Sequence, residues 1–343
     1  MKKIIVTGGS GFIGSNLIQL LLKKKYFVIN IDKSSYSANP YNVKDFKKNR
    51  NYLFYKLDIT HKNRIIKILK KHKPIGIFNL AAETHVDRSI DDAQNFIKSN
   101  IIGVYNLLES IRKLNKELKK KIKLLQVSTD EVYGDIPVNK QANEKYNYNP
   151  SSPYSASKAG ADQLIRSYTR TYGINTLIAN PCNNYGPNQF PEKFIPKMIF
   201  NILNNRSLPV YGKGRNVREW IYVKDNCDAL LKIFLKGKIG QSYNIGTGLK
   251  LRNIDIVKKI INIAKKNQIK INKKTKITFV KDRPGHDERY SLDSNKIKKE
   301  IKWKPKTSII NGLEKTIIWY SNNVDYFNKI SKKNITKRLG LKL

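Results

Sequence analysis

The first half of the chain alternates short apolar runs with longer stretches in which apolar residues recur every three or four positions. A short apolar run predicts a buried strand, whereas the three-to-four spacing predicts an amphipathic helix. The predicted strands are Ile4–Val6, Phe27–Ile31, Leu53–Leu57, Ile75–Leu80, Ile122–Val127 and Thr176–Ala179. The predicted helices are Ser15–Lys24, Lys62–Lys71, Ala93–Leu118 and Ser155–Tyr172. This alternation predicts an α/β fold, a doubly wound parallel sheet with helices on both faces.

The pattern changes after Pro181, where proline, glycine and asparagine cluster and the elements become shorter. We therefore expect a smaller C-terminal α/β domain, built partly from loops over the carboxyl edge of the sheet. The predicted boundaries are 1–182 with about 219–245 for the first domain, 183–218 and 246–330 for the second, and 331–343 for a basic tail.

Composition limits the class of protein. The 343 residues, 40% of them hydrophobic, suffice for a sizeable core and suggest about two domains. Cys182 and Cys227 are the two cysteines of the sequence, which argues against a disulfide framework and for a reducing compartment. The N-terminal apolar run is too short for a signal peptide, and no run approaches the ~18 apolar residues of a membrane span. We expect a soluble, cytoplasmic protein with no membrane partner.

The net charge of +41 admits two interpretations. One is nucleic acid binding, because a basic surface attracts polyanions. The other is a lysine-rich surface that follows from AT-rich codons, which the many Lys, Asn, Ile and Tyr residues favour. The lysines are scattered along the chain, and charge alone is a weak indicator of function. We expect no specific nucleic acid partner, although a positive field would attract a phosphorylated substrate.

A glycine pattern follows the first predicted strand and leads into a helical pattern. Gly8, Gly11 and Gly14 are spaced three apart, with Phe12 and Ile13 between the last two. Such a loop turns tightly, lets the backbone approach a pyrophosphate and points a helix N-terminus at it. Asp32 ends the next strand, where a carboxylate binds the ribose hydroxyls and repels a 2′-phosphate. The combination predicts a Rossmann-type domain that binds NAD, against the alternative of an ordinary glycine turn.

Further candidates follow the third and fourth strands. Asp58, with Ile59, is placed to accept a hydrogen bond from an adenine amino group, although an acid here is equally typical of a helix N-cap. Ala81 and Ala82 are small residues where a backbone can lie close to a cofactor.

Tyr154 and Lys158 form a Tyr-x-x-x-Lys pair at the start of a helical pattern, so that both lie on one helix face. A free tyrosine, with a pKa near ~10, is a poor base at neutral pH. A cation one turn away would favour the phenolate. The alternative, a surface tyrosine beside a surface lysine, is common.

Thr129, Asp130 and Glu131 follow the fifth predicted strand. Two adjacent carboxylates in a partly dry pocket have pKa values pushed apart, so that one can act as an acid and the other as a base. The alternative is a solvated acidic turn, and the sequence alone does not assign the proton.

Long strings of the chain resemble the nucleotide-diphosphate-glucose 4,6-dehydratases of the extended short-chain dehydrogenase/reductase superfamily. They are AAETHVDRSI at 81–90, STDEVYG at 128–134, SPYSASKA at 152–159, NNYGPNQFPEKFIPKMI at 183–199, LPVYGKGRNVREWIYVKD at 208–225, YNIGTG at 243–248 and DRPGHDERYSLD at 282–293. One departure is Asn180, where the family commonly has an arginine.

The resemblance implies a redox-neutral lyase reaction that yields a 4-keto-6-deoxy sugar nucleotide for deoxysugar biosynthesis, such as that of rhamnose. Tyr154, with Thr129, would take the O4 proton while C4 gives hydride to NAD. Glu131 would then remove the C5 proton and Asp130 would protonate the departing 6-hydroxyl. A sugar 4-epimerase needs no such acid and base, and remains the alternative enzyme; a polyanion-binding protein on the same scaffold is the non-enzymatic alternative.

The resemblance also implies a substrate site and a homodimer. The implied substrate residues are Arg218 and Arg283 at the diphosphate, supported by Asn184 and Asn244; Lys193, Phe194, Pro209 and Tyr211 at the base; Glu83 and His85 at the glucosyl end; and His286, which would order the loop of Arg283. The dimer would form through 93–118 and 154–172. The histidines are too dispersed to predict a metal site.

Overall fold

The computed structural model describes residues 1–119, 121–328 and 330, so the predicted tail at 331–343 lies outside the described residues. The strands are β1 (Lys3–Thr7), β2 (Phe27–Asp32), β3 (Tyr52–Lys56), β4 (Gly76–Asn79), β5 (Lys123–Val127), β6 (Thr176–Pro181), β7 (Asn183–Tyr185), β8 (Leu208–Tyr211), β9 (Val217–Tyr222), β10 (Ser242–Ile245), β11 (Lys250–Arg252) and β12 (Ile277–Val280).

The helices vary from single turns to twenty residues. They are α1 (Phe12–Lys23), α2 (Lys62–His72), α3 (Val86–Asp91), α4 (Gln94–Phe96), α5 (Gly103–Leu118), α6 (Pro153–Tyr172), α7 (Phe194–Leu203), α8 (Val223–Lys236), α9 (Asn253–Lys266), α10 (Ile309–Asn322) and α11 (Asp325–Asn328). Two 3-10 helices (Pro40–Phe46 and Asp130–Tyr133) and two π-helices (Ile97–Ile102 and Ile297–Ile301) are also present.

The main sheet confirms the predicted α/β fold class. In the described part of the chain it has seven parallel strands in the order β10-β6-β5-β4-β1-β2-β3. Alternate residues of β1 serve opposite faces, as a pleated strand requires. Ile4 and Val6 pack in a cluster with residues of α1 and α8, whereas Ile5 packs with residues of α2, α5 and α6. Helices therefore cover both faces, and the carboxyl ends of the strands lie along one edge.

The smaller unit has its own core. Strands β7, β9 and β11 form one sheet, β8 and β12 form another, and apolar residues of α7, α9 and α10 pack together around them. Residues 219–222, assigned from sequence to the first domain, lie in β9 of this smaller sheet, whereas β10 pairs with β6 in the main sheet. The domain boundaries stay a prediction, which the position of β10 favours.

The predicted helix over Ala93–Leu118 is interrupted. Its second turn is the π-helix Ile97–Ile102, which an apolar spacing cannot reveal because a π turn merely adds a residue. The wider turn carries Asn100, whose side-chain oxygen accepts a hydrogen bond from Glu83 N. Its side-chain nitrogen donates to Glu83 O and, at 2.8 Å, to Ser157 Oγ. No helix among the described residues has the length and apolar character needed to cross a membrane.

Candidate active site

The carboxyl ends of parallel strands are where an α/β sheet binds ligands, because loops diverge there. Two cavities meet at this edge. The strand-end cavity, of about 270 Å³, lies over the main sheet, and the outer cavity, of about 480 Å³, extends between the sheet and the smaller unit. Their shared walls include Glu131, Asn184 and Lys193, so ligands in the two cavities can meet.

Every predicted cofactor residue lines the strand-end cavity. These residues are Gly8, Gly11, Phe12, Ile13, Gly14, Asp32, Asp58, Ile59, Ala81, Ala82, Tyr154 and Lys158.

The glycine loop is built by close backbone packing. Gly8 has φ +68°, and a Cβ there would lie 2.7 Å from Ala81 N. A Cβ on Gly14 would lie 2.2 Å from Gly8 O. The N-cap of α1 is Gly11, which supplies no side-chain acceptor, so the first N–H groups of this helix are available to an anion. The loop therefore fits a pyrophosphate.

Two acids lie at the other end of this cavity. Asp32 accepts hydrogen bonds from Ser10 N at 2.9 Å and Ser34 N at 2.7 Å, and burial raises its pKa. Asp58 accepts from Thr60 N at 2.9 Å, while the N-cap of α2 is His61. The alternative role of Asp58 as the cap of that helix is therefore wrong: its carboxylate closes a turn and faces the cavity.

Tyr154 and Lys158 both lie on α6, and the effect of the lysine on the tyrosine stays a prediction. Burial raises the pKa of Tyr154 well above its ordinary value, the Glu131 carboxylate adds to this, and a hydrogen bond with Thr129 opposes it. The Lys158 ammonium donates to Val127 O at 2.7 Å. Burial lowers the pKa of Lys158 to about 8.

The acid pair is not a solvated turn. Thr129 caps the 3-10 helix that begins at Asp130, and its hydroxyl accepts from Glu131 N at 3.2 Å. Asp130 is 3% exposed, and Thr129, Asp130 and Glu131 line the same cavity as Tyr154. The apolar strand β5 thus delivers its two following carboxylates into a protected space.

The two carboxylates have unequal surroundings. Burial raises the pKa of Asp130 well above its ordinary value, and the neighbouring Glu131 carboxylate raises it further. Burial also raises the pKa of Glu131, but Arg283, Lys193 and Arg218 pull it down. The surroundings therefore favour the protonated form at Asp130 more than at Glu131.

The outer cavity collects most of the predicted substrate residues: His85, Asn184, Lys193, Phe194, Pro209, Tyr211, Arg218, Arg283 and His286. Three of these are cations, and Lys197 and Arg206 add two more. A cavity with five cations and few acids suits a polyanionic ligand such as a diphosphate.

Arg218 and Arg283 are positioned by different kinds of partner: backbone oxygens and an aromatic ring for Arg218, and a carboxylate for Arg283. Arg218 donates to the backbone oxygens of Asp287 and Glu288, and its guanidinium lies 4.0 Å from the Tyr290 ring centroid. Arg283 lies 3.3 Å from Asp87 Oδ1.

The loop that carries Arg283 is ordered by a hydrogen bond of its own. His286 Nδ1 lies 2.6 Å from Asp282 Oδ1. Burial, together with the nearby Arg283 and Arg218, lowers the pKa of His286 to about 4, so this imidazole is neutral at physiological pH.

Two predicted substrate residues are not in either cavity. Asn244 is fully buried, where its side chain accepts from the Tyr133 hydroxyl and donates to Ala142 O, so its polar groups are already satisfied. Glu83 forms an ion pair at 2.7 Å with Lys33, which itself lines the strand-end cavity. The prediction for Asn244 is corrected to a structural role, whereas the role of Glu83 stays a prediction.

Sequence reasoning missed three residues that the geometry adds. Glu192 lines both cavities, and Tyr290 lines the outer one, where its hydroxyl lies 3.5 Å from Glu131 Oε2. Asp87 accepts from the Tyr211 hydroxyl at 2.8 Å and pairs with Arg283. All three lie inside the strings that resemble the dehydratases, beside predicted residues, so their position in those strings could have indicated them.

Within the described residues, no group of three or more His, Cys, Asp or Glu side chains is arranged to hold a metal.

Asn180, which stands where the dehydratases commonly have an arginine, lies next to the segment that carries the acid pair. It is fully buried, and its Nδ2 lies 3.4 Å from both Thr129 O and the Tyr148 hydroxyl.

Comparison with known proteins places the whole chain in context. The model of the family described as GDP-mannose 4,6 dehydratase matches residues 5–316. A dTDP-glucose 4,6-dehydratase of Shigella flexneri is 43% identical over 96% of this chain and 95% of its own length. The structure of a dTDP-glucose 4,6-dehydratase from Bacillus anthracis in complex with NAD superposes with a TM-score of 0.87, at 39% identity over 96% of this chain and all of that one.

A second kind of enzyme shares the fold at lower identity. A UDP-glucose 4-epimerase of Thermotoga maritima superposes with a TM-score of 0.84, at 29% identity over 94% of this chain and 99% of that one. The fold alone therefore does not separate dehydratases from epimerases.

Proposed function

Because the chain belongs to the GDP-mannose 4,6-dehydratase family, we propose that it is an NAD-dependent hydro-lyase acting on a nucleoside-diphosphate glucose. The product is the 4-keto-6-deoxy sugar nucleotide. The substrate is dTDP-glucose, a choice supported by the 43% identical relative. UDP-glucose is the competing substrate, because Pro209 and Tyr211 can stack on either base and one methyl group is worth only ~1 kcal/mol.

NAD fits the strand-end cavity. The glycine loop and the N-terminus of α1 would hold the pyrophosphate, and Asp32 would accept from the ribose hydroxyls. When bound, NAD would supply a reversible hydride acceptor, for the hydride that leaves C4 of the hexose and is returned to C6 while a proton is restored at C5.

Tyr154 is the base for the hexose O4 proton. Burial raises its pKa and the Thr129 hydroxyl opposes this, so the phenolate that removes the proton needs a nearby positive charge, which the nicotinamide ring would supply when NAD is bound. Lys158 contributes a positive charge one helical turn away.

The acid pair performs the elimination across C5 and C6. Oxidation at C4 acidifies the C5 proton, which Glu131, as the carboxylate that ionises first, removes. Asp130 keeps its proton and donates it to the departing 6-hydroxyl, so that water leaves. The unequal burial and charge around the two carboxylates is the single observation that carries this proposal, since an epimerase has no use for it.

The nucleotide diphosphate would lie in the outer cavity. Arg218 and Arg283 offer paired N–H donors to phosphate oxygens, and Lys193 adds a charge near Glu131. Phe194 stacks on Trp220 at 6.1 Å and would present an aromatic wall to the base.

Incubation of the purified protein with dTDP-glucose or UDP-glucose tests the proposal. A 4-keto-6-deoxy product, identified by mass and by its absorbance in alkali, is expected, with dTDP-glucose turned over faster. A galacto product would indicate epimerisation instead and would overturn the proposal. The fraction of hydride retained at C6 from C4-deuterated substrate checks that the same cofactor molecule is used throughout.

We also propose a homodimer formed through residues 93–118 and 154–172. Ile97, Ile102, Tyr105 and Tyr172 are each more than a third exposed on this side of the molecule, an apolar surface that a second copy would cover. Light scattering of Ile102→Glu with Tyr105→Glu should show a monomer, and an unchanged dimer would refute this interface. Leu249→Glu, which alters an exposed apolar residue elsewhere, is the control.

The free, buried thiols of Cys182 and Cys227 suit the cytoplasm, which cell fractionation would test.

A further inference from the structure

Asp162 is a fully buried carboxylate that the reaction described above does not use. It lies on α6, eight residues after Tyr154 and four after Lys158, so the three side chains follow one face of the helix. A buried, ionisable side chain carries a large desolvation cost unless its neighbours compensate it. Its neighbours therefore indicate what it does.

Asp162 and Lys158 form hydrogen bonds with two consecutive residues at the end of β5. Lys158 Nζ donates to Val127 O at 2.7 Å, and Ser128 Oγ donates to Asp162 Oδ2 at 2.5 Å. Thr129, Asp130 and Glu131 follow immediately. Helix α6 carries Tyr154. Its hydrogen bonds to Val127 and Ser128 thus hold it against the segment that carries the acid pair.

Several neighbours of Asp162 stabilise its ionised form and partly offset the effect of burial. The Tyr148 hydroxyl donates to the same Oδ2 atom at 3.1 Å, and Arg166 donates to that hydroxyl at 3.1 Å. Lys158 and Arg166 on α6, with the hydrogen bonds from Ser128 and Tyr148, oppose the effect of burial, which raises the pKa of Asp162 to about 6.

Two further tyrosines and one unpaired atom complete the surroundings. Burial raises the pKa of Tyr133 on the 3-10 helix and of Tyr154, and the Asp162 carboxylate adds to both effects, so its benefit to Tyr154 must come through Lys158. Oδ1 of Asp162 has no hydrogen-bond partner among the described residues. One carboxylate oxygen is therefore held by two hydrogen bonds, while the other lacks a hydrogen-bond donor and shares a buried region with the Lys158 ammonium.

Resting on the proposed function, we propose that Asp162 is a positioning residue for the dehydration, which fixes the end of β5 against α6 and serves as the buried counter-charge that keeps Lys158 cationic. Without the carboxylate, the Lys158 ammonium would be buried with only a carbonyl oxygen as its partner, and it would lose its proton more easily. A neutral lysine no longer assists Tyr154.

Competitive labelling of lysines with trace acetic anhydride, followed by peptide mass spectrometry across a pH series, tests this without turnover. In Asp162→Asn, the labelling midpoint of Lys158 should move down by about one pH unit or more from its position near 8 in the parent. Asp162→Glu, which restores the charge, should return the midpoint toward the parent value. Asp255→Asn, an equal change of charge on the exposed side of α9, should leave it unchanged.

Turnover provides the second measurement. The alkaline limb of the kcat–pH profile should move to lower pH in Asp162→Asn and recover in Asp162→Glu, whereas a purely structural defect would lower kcat equally at every pH. Unchanged labelling and an unchanged limb in Asp162→Asn would overturn the proposal.

A variant that keeps the carboxylate covers the case in which Asp162→Asn does not fold. Tyr148→Phe removes one donor to the carboxylate and should shift both readouts in the same direction by less; no shift there would count against the proposal. A parent protein without 4-keto-6-deoxy product would sink the proposed function, whereas the labelling result stands independently of substrate.

Discussion

The two cavities of this molecule are made in different ways. The glycine loop lines the strand-end cavity with backbone alone, through Gly8, Gly11 and Gly14. The cations of the outer cavity are long side chains whose positions depend on partners far away in sequence, as Arg283 depends on Asp87. The first therefore depends on the absence of side-chain atoms, and the second on the presence of particular ones.

Glu131 lines both cavities, and the largest effect is expected where they meet. Asp130→Asn with Glu131→Gln should slow the elimination by about 10³-fold or more, because it removes both the acid and the base. Oxidation at C4 should continue, since Tyr154 is untouched. Absorbance at 340 nm separates the two steps.

Asp255→Asn with Glu117→Gln makes the same chemical changes at exposed positions and should turn over like the parent. If the acid-pair variant also eliminated water at the parental rate, the assigned roles of the pair would be wrong.

Gly14→Ala should affect the strand-end cavity alone. A Cβ there would lie 2.2 Å from Gly8 O, which is backbone and cannot move aside without opening the loop. We expect NAD to bind about 100-fold more weakly, from about 3 kcal/mol of overpacking. Calorimetric titration measures this.

Gly160→Ala is the matched control, because its new Cβ would meet only Ile101 side-chain atoms, at 3.3 Å. Equal loss of nucleotide-sugar affinity in Gly14→Ala would contradict the separation of the two cavities.

Arg283→Gln should show the reverse pattern. Loss of a charge-assisted bond to phosphate should raise the KM of the nucleotide sugar at least about tenfold and leave NAD affinity near that of the parent. Arg252→Gln, which removes an arginine from an exposed ion pair, should change neither value. A parental KM in Arg283→Gln would remove this residue from the diphosphate site.

The smallest expected effect concerns stability. The pKa of Asp130 is raised on folding, so the folded protein holds its proton more tightly than the unfolded chain does. The parent therefore loses stability as pH rises above the ordinary carboxyl range, and Asp130→Asn avoids that loss. The variant should gain about one to three degrees in Tm at pH 7.5, and less at pH 4.

Asp255→Asn should have the opposite sign, since an ion pair with Arg252 lowers the pKa of that group. The quantity to compare is the Tm of Asp130→Asn minus the Tm of the parent. A smaller difference at pH 7.5 than at pH 4 would contradict the protonated state assigned to Asp130.

The contrast between the cavities explains what the sequence revealed. Gly8, Asp32, Tyr154 and Lys158 were identified because each belongs to a short motif whose geometry is fixed by the strand or helix that carries it. The parallel sheet followed from the alternation of patterns in the same way. These are local properties, and the structure has them where the sequence predicted them.

The remaining residues depend on contacts that cross the chain. The ion pair of Glu83 with Lys33, fifty residues earlier, could not be read from a local pattern, and the prediction that Glu83 contacts the sugar stays a prediction. Asn244 was expected at the diphosphate, but Tyr133 and Ala142, a hundred residues earlier, occupy its polar groups. The charge of the acid pair also required the structure, because the three cations near Glu131 come from three distant segments.

The place of β10 in the sheet has a consequence for synthesis of the protein. Strand β6 lies between β5 and β10, yet about sixty residues, which form β7 to β9 with α7 and α8, separate β6 from β10 along the chain. On the ribosome, β6 must therefore emerge with one row of amide and carbonyl groups unmatched until residue 245 follows. Such an open apolar border invites intermolecular pairing, so the nascent chain is most vulnerable to aggregation during that interval, and truncation before 245 should leave it permanently so.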